Sequence, residues 1–71
     1  MFGLGIAKDQ KRALNLYLQI AEFNIEAQFR LGDCYLNGWG VPTNVQRAIY
    51  WYTIAAENGS EEAQTALEEL L

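Results

Sequence analysis

The chain has 71 residues, of which 51% are hydrophobic and 20% are charged, and its formal net charge is −4. A chain of this size has room for one small domain with a modest core, and the composition is that of a folded protein. The acidic balance argues against nucleic acid and membrane partners, because binding to phosphates and anionic lipids depends on Lys and Arg.

Membrane insertion and disulfide chemistry are both disfavoured by the sequence. No apolar run approaches the roughly 18 to 20 residues that span a bilayer. The start, Met1 to Lys8, lacks the basic region and long apolar stretch of a secretory signal, so we expect a cytoplasmic chain, with the location of any longer parent left open. A single cysteine, Cys34, excludes an internal disulfide and a cysteine-rich zinc site.

The sequence repeats itself at a spacing of 35 residues, which becomes 36 after one inserted residue. The first spacing pairs Gly3 with Gly38, Gly5 with Gly40, Arg12 with Arg47, Ala13 with Ala48, Tyr17 with Tyr52 and Ala21 with Ala56. The second pairs Ala27, Gln28 and Leu31 with Ala63, Gln64 and Leu67. A fixed period of this length is typical of helical repeat proteins.

The first helix is predicted from about Asp9 to Glu22, with residues 1–8 forming the end of a turn around Gly3-Leu4-Gly5-Ile6. Asp9 suits the N-cap, and apolar residues follow it at helical spacing. Asn24 and Gly59 are expected in left-handed conformations that end helices.

The second helix is predicted from about Ile25 to Leu36, and it ends at Asn37 and Gly38. Its apolar face is formed by Ala27, Leu31, Cys34 and Tyr35. Gly32 in its interior costs about 1 kcal/mol in helix propensity, which indicates the close approach of a neighbouring helix.

A short loop is predicted from Gly38 to Thr43, because two glycines and Pro42 interrupt the helical pattern. Trp39 and Val41 are expected to pack against the helices. Two starts remain open for the third helix: a capping box that begins at Thr43, or Asn44 as the N-cap.

The third helix is predicted to run to about Asn58, and Ser60 is predicted to cap a fourth from Glu61 to Leu71. The apolar positions lie at helical spacing in both segments. The expected architecture is therefore all-α, with four antiparallel neighbouring helices and no strands.

The repeated positions resemble those of a known family. The run Ala27 to Tyr35, the segment Gly38-Trp39-Gly40-Val41-Pro42, and the residues Ala48, Trp51, Tyr52, Ala55, Ala56 and Gly59 resemble the Sel1-like repeat, a relative of the tetratricopeptide repeats. On this basis residues 26–59 form a complete repeat between partial repeats at 1–25 and 60–71, in which Leu16 replaces the tryptophan and Glu68 the glycine. The resemblance implies a tetratricopeptide-like α/α solenoid built from antiparallel helix pairs.

Solenoid repeats bury their apolar faces against neighbouring repeats or caps. The two partial repeats have no evident caps in the sequence. We therefore expect either a fragment of a longer array or a chain that forms a homo-oligomer through its open helical ends.

The sequence offers no catalytic, cofactor or metal site. It contains no histidine, and Cys34 has no basic surroundings, so a small core residue is the favoured interpretation. The glycine pairs do not follow a strand, as a phosphate-binding loop would require. Glu61, Glu62, Glu68 and Glu69 lie on one helix, where carboxylates without a ligand-gathering loop seldom bind a metal.

The resemblance also implies a binding surface, since the first helix of each tetratricopeptide repeat lines a concave groove. The corresponding positions in this chain are Glu26, Phe29, Asp33, Leu36, Asn37, Glu62, Thr65 and Glu69. An apolar Phe29 among acidic groups suggests a basic or mixed peptide, although Phe29 could equally pack against the adjacent helix. The leading hypothesis is a non-catalytic scaffold that binds a protein or peptide, and the alternative is a self-assembling structural unit.

Overall fold

A computed structural model describes the backbone of residues 2–71 and the side chains of residues 9–71. Within that range the chain forms four helices and no strands, which confirms the all-α prediction. The helices are α1 (Phe2–Ile20), α2 (Ile25–Asn37), α3 (Val45–Glu57) and α4 (Glu61–Leu70). Each helix packs against the next, and α2 also contacts α4. No helix in the described range has both the length and the apolar character needed to cross a bilayer.

Helix α1 begins earlier than predicted, and its backbone is helical from Phe2 onward. The turn expected around Gly3-Leu4-Gly5-Ile6 is therefore wrong, and Asp9 lies inside the helix. The equivalent loop contains Pro42, whereas the first copy has Ala7 at the corresponding position. Proline disrupts a helix interior, while alanine has the highest helix propensity, so only the second copy is forced out of the helix.

Helices α2, α3 and α4 each begin after a polar side chain that accepts a backbone hydrogen bond. The bonds join Asn24 Oδ1 to Ala27 N at 2.9 Å, Asn44 Oδ1 to Arg47 N at 3.1 Å, and Ser60 Oγ to Ala63 N at 3.1 Å. Such a cap stabilises a helix by about 1 kcal/mol. Asn44 is thus the cap of α3, and the capping box based on Thr43 is wrong.

The two residues that were expected in left-handed conformations have different backbone conformations in the structure. Gly59 has a φ of 109°, in the positive range that was predicted. Asn24 has a φ of −132° and an extended backbone, so its left-handed assignment is wrong. Asn24 begins α2 and does not end α1, and an N-cap residue requires an extended conformation.

The loop between α2 and α3 turns at Gly38, which has left-handed φ and ψ values of 74° and 37°. Val41 packs against the core as predicted. Trp39 lines a recess with residues of α1 and α2 but remains 42% exposed, so it packs against the helices only in part. Gly40 lies against α1: a Cβ atom there would lie 2.9 Å from the backbone oxygen of Gln10. The loop thus approaches α1 through its backbone, which leaves Trp39 at the surface.

The core consists of two clusters on either side of α2. The first cluster contains Leu14, Ala21, Leu31 and Cys34, and the second contains Ala48, Tyr52, Ala55 and Ala63. Gly32 lies against the ring of Tyr52, which confirms the predicted close approach of a neighbouring helix. Helix α2 is therefore the central element that positions the others.

Buried Gln28 joins three helices through its side-chain amide. Its Nε2 donates to the carbonyl of Ala21 at 2.7 Å, and its Oε1 accepts from Asn58 Nδ2 at 3.0 Å. Ala21 and Asn58 directly follow α1 and α3. The amide therefore fixes the ends of both helices against α2.

Candidate functional site

The predicted binding residues of α2 lie on one face of the helix. Burial of Ala27, Leu31 and Cys34 turns the opposite positions outward. The outward positions recur at intervals of three or four residues, so they form one stripe along the helix: Glu26, Phe29, Asp33, Leu36 and Asn37. Glu26 and Asn37 are exposed, and the other three are partly buried.

Arg30 lies within this stripe and was not among the predicted residues. Its Nε donates to Glu26 Oε2 at 2.8 Å, and its Nη1 lies 3.6 Å from Asp33 Oδ2. Its guanidinium also lies 5.5 Å from the ring centre of Phe29. The hydrogen bond to Glu26 raises the pKa of Arg30 above its usual value. Spacing of four residues between Glu26 and Arg30 was the sequence signal for this pair.

Phe29 and Asp33 both contact Tyr52 of α3. The ring centres of Phe29 and Tyr52 are 5.8 Å apart and tilted by 43°. The Tyr52 hydroxyl donates to Asp33 Oδ1 at 2.5 Å. Phe29 therefore packs against the adjacent helix, as one of the two interpretations expected, and only part of its surface is open to a ligand.

Leu36 and Asn37 also support the fold. Leu36 packs against the second core cluster. The Asn37 amide donates to the carbonyl of Asp33 at 3.0 Å, near the end of α2. Asn37 is nevertheless exposed.

The predicted residues of α4 are all exposed: Glu62, Thr65 and Glu69. Thr65 donates its hydroxyl to the carbonyl of Glu61 at 3.1 Å. Glu26 and Glu62 line one depression of about 510 Å³, which also includes Ile25, Gly59, Ser60 and Glu61. We call these six residues the acidic depression. The structure thus brings together one predicted residue from each helix.

A second groove lies between α1 and α3 and was not predicted. Leu18, Tyr50 and Trp51 line two adjoining depressions, with volumes of about 580 and 400 Å³. The first also includes Tyr35, Asn44, Gln46 and Arg47, and the second Ala21, Glu22, Gln28, Ile54 and Asn58. We call the two together the α1–α3 groove. Tyr50 lies off the apolar stripe of α3, which was the only signal in the sequence.

Cys34 lies in the core and lacks the features of a reactive thiol. It is 4% exposed, and burial raises the pKa of its thiol, which disfavours the nucleophilic thiolate. Residues 9–71 also contain no group of three or more acidic or cysteine side chains placed to bind a metal ion.

Comparison with known proteins gives a family match over most of the chain. The Sel1 repeat family model matches residues 1–22 and 25–60. Sel1 repeats generally mediate protein–protein interaction.

The curated proteins similar to this chain include two regulatory or binding factors. Chitin synthase regulatory factor 3 of Schizosaccharomyces pombe is 38% identical over an alignment of 65 residues that covers 89% of this chain and 7% of that protein. DAP3-binding cell death enhancer 1 of Rattus norvegicus is 34% identical over 62 residues, which are 87% of this chain and 12% of that protein. The chain thus spans a small part of each relative. No solved structure gives a significant match.

Proposed function

The chain belongs to the Sel1 repeat family, and we propose that it is a non-catalytic scaffold module that binds a protein or peptide through the surface of α2 and α4. The observation that carries this proposal is the acidic depression, in which Glu26 of α2 and Glu62 of α4 line the same recess. A surface shared by two successive repeats is the kind that helical repeat proteins use for recognition.

The side chains of the acidic depression favour a basic partner. Glu26, Glu61 and Glu62 are all exposed, and Ile25 beside them is 41% exposed. A partner segment with Lys or Arg next to an aliphatic residue would meet both charge and apolar surface. Because exposed ion pairs are worth only about 0.2 to 1 kcal/mol each, apolar contact must supply part of the affinity.

The names of the relatives support an interaction role. One is a regulatory factor for chitin synthase and the other is a DAP3-binding protein. Neither name describes a catalytic activity. We propose the same type of role here, with a partner defined by its chemistry.

The test begins with random twelve-residue peptides displayed on phage and selected on the intact chain. We expect the enriched peptides to carry Lys or Arg beside an aliphatic side chain. Glu26→Lys combined with Glu62→Lys should weaken binding of the synthetic consensus peptide at least tenfold, measured by calorimetry.

The matched control combines Glu57→Lys with Glu68→Lys. Both glutamates are exposed and lie outside the acidic depression, and the pair changes the net charge equally. Equal loss in both double variants would indicate bulk charge alone, and undiminished binding in the first would refute the proposed surface. Phe29 and Asp33 are unsuitable for this test because both contact Tyr52.

Self-association is the second candidate function. Leu67 and Leu70 of α4 are partly buried against the second core cluster, while Leu71 is 88% exposed. An exposed leucine beside a partly open apolar face favours contact with another apolar surface. Leu71→Asp should then shift sedimentation toward monomer. A wild-type chain that sediments as a monomer at high micromolar concentration would exclude this candidate.

A further inference from the structure

The α1–α3 groove combines exposed apolar surface with a defined floor. Leu18 and Tyr50 on its two walls are 43% and 58% exposed. Between them, the Trp51 ring meets that of Tyr50 edge to face, with the ring centres 5.2 Å apart. Trp51 packs against the first core cluster, so its position is fixed by the fold. The groove therefore presents a preformed apolar surface to a ligand.

The groove has a positive end and a negative end. Arg47 lines the first depression, and its guanidinium lies 5.9 Å from the ring centre of Tyr35. Among residues 9–71, no carboxylate oxygen lies within 4.0 Å of a nitrogen of Arg47. Glu22 and Asn58 line the second depression. A ligand that follows the groove would meet a cation at one end and a carboxylate at the other.

The distance between the two ends limits the length of the ligand. Arg47 and Asn58 are separated by 11 residues along α3 and its C-terminal end. With a rise of 1.5 Å per residue, this corresponds to roughly 16 Å. An extended peptide covers about 3.3 Å per residue, so about five residues would follow the groove.

We propose that the α1–α3 groove binds a short extended segment of a partner protein, which places a carboxylate beside Arg47 and an apolar side chain against Leu18, Tyr50 and Trp51. Charge complementarity favours this occupant, because Arg47 has no anionic partner within the described residues. The lining of the groove includes one arginine, and the chain has a net charge of −4. This surface therefore does not suit a nucleic acid or an anionic membrane.

This second surface is distinct from the proposed surface of α2 and α4. Its walls come from α1 and α3, and its ligand has the opposite charge requirement. No residue of the acidic depression lines the α1–α3 groove. A chain with both could hold two partner segments at once.

The test selects phage-displayed random seven-residue peptides on the intact chain in which Glu26→Lys and Glu62→Lys disable the acidic depression. We expect the enriched peptides to carry Asp or Glu near an aromatic or aliphatic residue. Binding of the synthetic consensus peptide is then followed by Trp51 fluorescence in a Trp39→Phe background. Arg47→Glu and Leu18→Asn should each weaken it at least tenfold.

Each groove variant has a matched control on α1. Arg12→Glu makes the same charge change as Arg47→Glu, and Leu16→Asn replaces a leucine that is 59% exposed outside the groove. Both controls should leave affinity within twofold of the parent. A consensus peptide with Lys in place of its acidic residue should bind the Arg47→Glu variant better than the parent chain.

Circular dichroism establishes that the variants fold, and a glutamate at position 47 is favourable for the first turn of α3. The proposal is overturned if no enriched peptide depends on Arg47 and Leu18, or if the controls reduce affinity as much as the groove variants. It is also overturned if the enriched peptides are basic. None of these results bears on the acidic depression, whose own peptides are selected on the chain with Glu26 and Glu62 intact.

Discussion

Tyr52 of α3 lies directly against Gly32 of α2, and its hydroxyl donates to Asp33, the next residue of that helix. A Cβ atom at position 32 would overlap two ring carbons of Tyr52 and would lie 2.9 Å from a third, Cγ. The tyrosine is 1% exposed, and α2 and α3 form the most extensive contact between helices within the described residues. This glycine–tyrosine pair therefore sets how closely the two central helices approach.

Gly32→Ala is expected to destabilise the chain. Alanine improves helix propensity by about 1 kcal/mol, but its methyl group collides with a buried ring. Overpacking of this kind costs about 1 to 3 kcal/mol, so the net free energy of unfolding should decrease. Thermal and urea denaturation measure the change.

Replacing the ring provides the control for this prediction. In a Tyr52→Leu background the collision is relieved, so Gly32→Ala should become neutral or stabilising relative to that background. The double-mutant cycle should thus give a coupling of about 1 kcal/mol or more between the two positions. Additive effects would contradict a direct steric role for the pair.

Tyr52→Phe isolates the hydrogen bond to Asp33. The substitution keeps the ring but leaves the half-buried carboxylate without its hydroxyl donor. Hydrogen bonds to charged groups contribute about 1.5 to 3 kcal/mol, so we expect a decrease in unfolding free energy of that order. Tyr50→Phe is the control, because Tyr50 is 58% exposed and should tolerate the change.

The same tyrosine predicts a loss of stability at alkaline pH. Burial, together with the hydrogen bond from Tyr52 to Asp33, raises the pKa of Tyr52 far above its usual value near 10. The unfolded state therefore loses this proton at lower pH than the folded state. The contribution of Tyr52 is complete below about pH 10 and declines as pH rises further.

Urea titrations between pH 8 and pH 11 test the alkaline prediction. The wild-type unfolding free energy should fall above pH 10 by more than that of Tyr52→Phe. Parallel pH profiles in the two chains would show that Tyr52 does not cause the decline. Circular dichroism at each pH identifies the folded baseline.

The sequence predicted the bounds of α2, α3 and α4 more accurately than those of α1. Asn44 and Ser60 were read correctly as helix starts, and α2, α3 and α4 agree with their predicted bounds to within one or two residues, although Asn24 was read as a helix end. The predicted start of α1 was wrong because Gly3 and Gly5 were interpreted as a turn. Without a proline beside them, these glycines permit a helix.

The surroundings of the proposed binding residues were harder to predict because some of these residues have tertiary contacts. Glu26 and Glu62 are exposed, as amphipathic spacing indicates. Phe29 and Asp33 instead contact Tyr52, which lies 23 and 19 residues further along the chain, and no local pattern reveals such a pair. The α1–α3 groove likewise depends on two helices that are not consecutive.

Gly40→Ala tests how the loop after α2 contacts α1. Gly40 has a φ of 82°, and a Cβ atom would lie 2.9 Å from the Gln10 oxygen and 3.0 Å from Lys11 Cα. The contact is with backbone, which cannot move as a side chain can. We expect a loss of about 2 to 4 kcal/mol, from combined backbone strain and overpacking.

Gly59→Ala is the comparison for Gly40→Ala. Gly59 also has a positive φ, of 109°, but a Cβ atom there would have no neighbour within 4 Å. Its substitution should therefore cost only the strain of about 1 to 3 kcal/mol. If both variants lose equal stability in urea denaturation, the loop does not constrain α1 sterically. Hydrogen exchange should also show weaker protection of α1 in Gly40→Ala.

Gln28→Met is expected to loosen the ends of α1 and α3. Methionine fills a similar volume but cannot donate to the Ala21 carbonyl or accept from the Asn58 amide. A buried carbonyl left without its partner costs about 1 to 3 kcal/mol, so unfolding free energy should fall by that amount. Gln28→Glu should lower the unfolding free energy further, because an ionised carboxylate cannot donate to the Ala21 carbonyl. The side chain at position 28 is also only 3% exposed, and burying an unpaired charge is unfavourable.

The repeat itself supplies the control for Gln28. Gln64 occupies the corresponding position of the next repeat unit, yet it is exposed on α4. Gln64→Met should therefore change the unfolding free energy by less than about 0.5 kcal/mol, as is usual for surface substitutions. Similar losses of unfolding free energy at the two positions would show that the glutamine of each repeat contributes through helix propensity. A loss confined to position 28 would show that the amide acts by joining α1, α2 and α3.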